Sequence, residues 1–237
     1  IQFYTTLIMI YETFMACMGA CTLQSSLLFW IKPIIKSQHV YGKTMSETFR
    51  FLKNQPDKLR FYRGFLPAVL KSGIGRTSDI SIYQYTSKKY DNNLTSITSG
   101  ILSGALKVSI MPLDTISNIY QVHGKDGRQQ IKGNLYRGTL AYGLMASISS
   151  TLWLTSYSYF IKYNLFTNEN LNFLFTGFTS SLITDLVINP IRVIKTNKQA
   201  YAKEQSYKYI INNVNNDVGF YRGFKLRLGY NAINGAL

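Results

Sequence analysis

Phe61-Tyr62-Arg63-Gly64, Leu135-Tyr136-Arg137-Gly138 and Phe220-Tyr221-Arg222-Gly223 are one tetrapeptide written three times in a chain of 237 residues. Each copy follows a polar stretch and opens an apolar run. Self-similarity of this kind marks a repeated architecture, with each copy belonging to one structural unit. A second signal runs upstream of two copies. Pro112-Leu113-Asp114 and Pro190-Ile191-Arg192 end apolar runs, with Gln121 and Gln199 nine residues after the two prolines. Gly100 and Gly104 precede the first proline, and Gly177 and Ser181 the second. Small residues at this spacing let helices pack closely in a membrane.

The apolar runs between these markers number six. Thr139 to Ile161 has no charged residue, Ile1 to Ile31 only Glu12, Leu94 to Leu113 only Lys107, and Leu171 to Ile191 only Asp185. Phe65 to Lys88 reads as a less apolar helix, and another begins at Phe224. About 20 apolar residues cross a bilayer. The predicted fold class is therefore an all-α membrane protein with six transmembrane helices in three pseudo-symmetric repeats. The units are 1–90, 91–165 and 166–237, which together make one transport domain, with the sixth helix cut short at Leu237. Mean hydropathy is near zero, at −0.03, which fits helices with one face on lipid and one on a water-filled path.

Composition points the same way. Charged residues are only 16% of the chain, against roughly 25% in ordinary globular proteins, yet the formal net charge is +15. Such a balance calls for an anionic partner. The basic stretches Lys36 to Arg60, Gly124 to Lys132 and Lys198 to Asp217 should share one side of the membrane. Cys17 and Cys21 lie one helical turn apart and offer at most two metal ligands; His39 and His123 have no triad-like company. No metal, no cofactor and no enzyme activity are expected. The start of the chain has no basic n-region, and no cleavable targeting segment is evident.

With these residues in hand, the chain resembles the mitochondrial carrier family over nearly its whole length. That family has three repeats, each with an odd helix kinked at a P-x-[DE]-x-x-[KR] motif, a matrix segment and an even helix. Pro112 and Asp114 match the motif's first half, with Ser117 at the basic position. Pro190 and Lys195 match in the third repeat, with Arg192 in place of the acid. In the first repeat Lys32 fits the basic position if Leu27 stands for the proline and Phe29 for the acid. The matrix segments are shorter than is usual in the family. The resemblance implies an inner mitochondrial membrane location, multi-pass, and a monomer.

It also implies roles. The matrix gate is expected to comprise Lys32, Asp114, Gln121, Arg192, Lys195 and Gln199. Asp114 should pair with Lys195, Phe29 should face Ser117, and Lys32 and Arg192, like charges, should stay apart or share an anion. At the three helix starts, Arg63 with Gly64, Arg137 with Gly138 and Arg222 with Gly223 would bind lipid phosphate, cardiolipin by the resemblance. Free backbone N–H groups, glycine and an arginine make such an anion site; the alternative is a glycine that merely caps a turn.

For the substrate, Arg76, Asp79 and Tyr83 share one helix face with Lys71 nearby. Lys71, Met145 and Tyr230 each lie seven residues past a repeated glycine, where the family contacts its cargo. The apolar pair Met145-Ala146 resembles that of nucleotide-type members. Lys107 and Asp185 occupy equivalent positions before the two prolines, and Arg227 adds positive charge. Alternatively, Arg76 pairs with Asp79 and Lys107 with Asp185. The expected function is antiport of nucleotides or deoxynucleotides by alternating access, with no stable nucleic acid partner. The alternatives are a carrier of phosphate or another organic anion, and a degenerate, non-transporting membrane protein that binds anionic lipid or nucleic acid.

Overall fold

The computed structural model describes residues 2–90, 92–163, 166–201, 203 and 205–236. The described residues are helical and include no strand. Helix α1 (Gln2–Leu28) meets α2 (Ile31–Tyr41) at a 72° bend, and α5 (Asn92–Ser109) meets α6 (Met111–His123) at a 67° bend. Between them lie α3 (Met45–Lys53) and α4 (Phe65–Thr86). Then follow the short α7 (Arg128–Ile131), α8 (Thr139–Phe160), α9 (Glu169–Ala200), α10 (Tyr207–Asn213) and α11 (Phe224–Ala236).

Pro112 sits in the first turn of α6, where its missing N–H costs nothing because that position has no intrahelical acceptor. Pro190 lies inside α9, which continues through it over 32 residues. A proline there frees the carbonyl four residues earlier. That carbonyl, Leu186 O, accepts a hydrogen bond from Tyr221 Oη at 3.3 Å. Tyr62 Oη does the same for Ser26 O, at 2.8 Å, beside the first bend. In two of the three copies, then, the tyrosine of the tetrapeptide donates to a carbonyl of the preceding long helix, beside the bend or the proline.

The glycine has a different task. Gly64, Gly138 and Gly223 have φ of 67°, 87° and 77° and open α4, α8 and α11. The first N–H of each helix, on Phe65, Thr139 and Phe224, bonds the carbonyl of Tyr62, Tyr136 or Tyr221. A side chain at Gly64 would also strike the Ser117 carbonyl on α6, and one at Gly223 would press on His39 on α2.

Helices α2, α6 and α9 pack on one another in all three pairings, and among the described residues α5 and α8 form the most extensive contact. Gly100 and Gly104 make that contact possible: a Cβ on either would lie within 3 Å of the Thr151 or Ser147 backbone. Gly177, expected to serve the same purpose, faces open space.

Among the described residues buried polar and charged side chains outnumber buried apolar ones, while Leu140, Leu144, Leu171, Phe173 and Val187 lie on the outside. Soluble proteins distribute residues the other way. Among the described residues one helix, α9, is long and apolar enough to cross a membrane, and there are up to three such spans if each bent pair counts as one. The expected six rested on three further helices. Serine, threonine and tyrosine dilute α8, and Lys71, Arg76 and Asp79 interrupt α4.

Candidate functional site: a cationic cavity

A cavity of about 280 Å³ opens between α2, α4, α6, α8, α9 and α11. Six of its lining residues are cations, Lys32, Lys36, Lys71, Arg192, Lys195 and Arg227, against the single carboxylate of Asp114. Asp114 is shared by two of them. Lys195 Nζ lies 2.7 Å from Oδ2 and Lys71 Nζ 2.8 Å from Oδ1, and Asn118 Nδ2 donates to Oδ2 at 3.2 Å. The contact of Asp114 with Lys195 is the one the register of the two prolines leads one to expect. Lys195 also lies over the ring of Tyr142, at 5.1 Å.

A second carboxylate, Asp185, is buried behind the wall. It accepts from Arg192 Nη2 at 2.7 Å, from Arg227 Nε at 2.9 Å, and from Asn231 Nδ2. Arg192 and Asp185 are two turns apart on one continuous helix, so they share a face. The third carboxylate, Asp79, takes Lys107 at 2.7 Å, with Ser103 and Ser150 completing the cluster. Neither alternative pairing forms: Asp79 takes Lys107 rather than Arg76, and Asp185 takes the two arginines rather than Lys107. The reason is reach, since α4 packs on α5 and α11 packs on α9.

Of the expected cargo residues, Lys71, Met145, Arg227 and Tyr230 line the cavity. Ala146 is buried behind Met145 in α8, Tyr83 is half-buried one turn beyond Asp79, and Arg76 is exposed, acting electrostatically on Lys32 and Tyr230. Of the expected gate residues, Lys32, Asp114, Gln121, Arg192 and Lys195 line the cavity. Gln199 lies deeper, with Asn118 donating to its Oε1 and its own Nε2 donating to Thr115 Oγ1 at 3.2 Å. Lys32 has aromatic neighbours, Phe29 at 5.2 Å and Tyr230 at 5.8 Å. Phe29 is fully buried against Tyr62 and Phe65.

Two residues outside the sequence expectation obey its symmetry: Lys36, which lines the cavity, and Tyr142, which lies behind Lys195. Lys36 lies nine residues after Leu27, the offset at which Gln121 and Gln199 follow their prolines. Tyr142 lies four residues after Gly138, as Ala68 and Arg227 follow Gly64 and Gly223, and these two line the cavity. The sequence places Lys36 at the start of a basic connecting stretch, but in the fold it is still in α2 and donates to Thr196 Oγ1 at 3.3 Å.

The three tetrapeptide arginines turn inward. Arg137 donates to Gln199 O from Nε at 3.0 Å and from Nη2 at 2.8 Å, and to Gln130 O. Arg222 Nε donates to Lys43 O at 3.1 Å. Arg63 pairs with Asp57 at 3.2 Å and packs its guanidinium on Gly124. Each arginine therefore meets the C-terminal end of another repeat's helix: α6, α9 or α2. Unbonded carbonyls collect there, and a cation complements them. This differs from the expected role, in which the same guanidinium groups reach for lipid phosphate.

Arg137→Ala should therefore destabilise the protein by about 2–3 kcal/mol, because buried carbonyls lose charge-assisted donors. Thermal unfolding in detergent checks this, and an unchanged midpoint would contradict the inward role.

Among the described residues no group of three His, Cys, Asp or Glu side chains could hold a metal. No family model matches the chain, and no curated protein matches its sequence.

Proposed function

We propose that this chain is a solute carrier of the mitochondrial-carrier type, with six spans in three repeats. It exchanges nucleotides or deoxynucleotides across the inner mitochondrial membrane by alternating access. The observation that carries this reading is the cavity, with six cations from four helices facing one carboxylate. A polyanion suits such a site better than a zwitterion does, and arginines can bind phosphate bidentately. The inside-out distribution of polar residues supports a membrane setting. Substrate sites of such transporters lie at the interface of repeats.

The same cavity also accommodates inorganic phosphate or another organic anion. Among the expected gate residues one inter-repeat ion pair forms, Asp114 with Lys195, and so slight a closure is what the non-transporting reading would have. Cardiolipin would be the lipid partner, held chiefly by backbone at the three helix starts.

Reconstitution decides among these. Purified protein in liposomes loaded with unlabelled nucleotide is expected to take up labelled nucleotide by saturable counter-exchange. Exchange of amino acids or dicarboxylates alone would refute the cargo. Correctly inserted protein with no exchange of any solute would favour the non-transporting reading.

A further inference from the structure

The cavity's charges are unevenly compensated. Lys71 and Lys195 share Asp114, and Arg227 and Arg192 share Asp185. Lys32 and Lys36 have no carboxylate partner among the described residues. The charges acting most strongly on Lys32 are those of Lys71, Arg227 and Arg76, all positive. Arg192 is only 6% exposed, and its Nη1 has no hydrogen-bond partner. A buried guanidinium nitrogen without an acceptor is costly and calls for one.

These groups lie where repeats one and three meet. Lys32 and Lys36 stand on α2, Arg192 on α9, and all three line one cavity. Helix α9 joins α6 through Asp114 and Lys195, but among the described residues no ion pair joins α9 to α2. Lys36 adds charge where the other two repeats carry neutral Gln121 and Gln199.

We propose that Lys32, Lys36 and Arg192 form an oxyanion site that ties repeat one to repeat three, so that a bound phosphate group takes the place of the missing gate ion pairs. The inference rests on reading the cavity as an anion site and adds that the anion itself closes the gate. Empty, the three cations repel one another and the α2–α9 seam is weakened. Occupied, a tetrahedral oxyanion accepts from both helices. A ligand that binds one conformation better shifts the population toward it.

The test is thermal unfolding of the purified full chain in detergent, at constant ionic strength, with inorganic phosphate exchanged for chloride. Wild type should show a saturable rise of roughly 5 °C, as expected when a ligand binds the folded state alone. Lys36→Gln should start above the wild type without phosphate, because repulsion is relieved, and should lose the rise. Lys32→Gln should behave likewise. Lys125→Gln, at an exposed lysine, should respond as wild type does.

An unsaturable rise, equal in all variants, would mean general salt stabilisation and overturn the site. A rise produced by dispersed phosphatidic acid but not by inorganic phosphate would place the phosphate at the lipid-facing surface, and would also overturn it. Because this readout needs no transport, it separates the two claims. A saturable shift without exchange sinks the carrier reading and keeps the site; exchange without a shift does the reverse.

Discussion

Asp114→Asn is expected to destabilise the protein by about 3–5 kcal/mol, the range for breaking a buried ion pair by removing one partner. Asp114 and Lys195 side chains are each only 2% exposed, so neither can turn to water when the other is lost. Asparagine keeps the shape and loses the charge. Lys195 would then retain the Tyr142 ring at 5.1 Å and the repulsion of its neighbouring cations.

The double substitution Asp114→Asn, Lys195→Met should recover most of the loss, because a buried pair can be replaced by well-packed neutral residues at little net cost. Chemical unfolding of the four proteins in detergent gives the coupling energy. Additive effects of the two substitutions would show that the pair does not join α6 to α9.

Lys71→Ala is expected to lower nucleotide uptake in liposomes by about 10- to 100-fold, the worth of one hydrogen bond to a charged group. Its effect on stability should be small. Lys71 is the more hydrated of the two lysines on Asp114, with 32% of its side chain exposed, and Asp114 keeps Lys195 and Asn118 when it goes. The two substitutions thus separate the roles of groups that touch the same carboxylate: loss of Asp114 strikes the fold, and loss of Lys71 strikes the cargo. Arg76→Ala should reduce uptake less than Lys71→Ala, because Arg76 does not line the cavity and acts on it only through its field. An uptake unchanged by Lys71→Ala, in protein that still inserts, would remove Lys71 from the binding site.

By itself the sequence determined the features governed by near neighbours. A repeated glycine before an apolar run marks a helix start, since only glycine holds a positive φ without strain. The Gly100 and Gly104 pair marked a close helix contact, and the offsets from Pro112 and Pro190 brought Asp114 to Lys195. The same offsets applied to Leu27 would have found Lys36.

Tertiary structure alone decided which charges are spent and which remain. Asp79 could have taken Arg76 on its own helix but takes Lys107 from α5. Arg137 looked like a lipid ligand and instead holds the end of α9. Gly177 has the spacing of Gly100 but no helix packed on it. Pro112 marks a bend, whereas Pro190 lies in a continuous helix with its freed carbonyl taken up by Tyr221. Lys107, Gln199 and Tyr221, the partners in these contacts, come from far along the chain. Their reach depends on how whole helices pack, and that is not a property of any local stretch of residues.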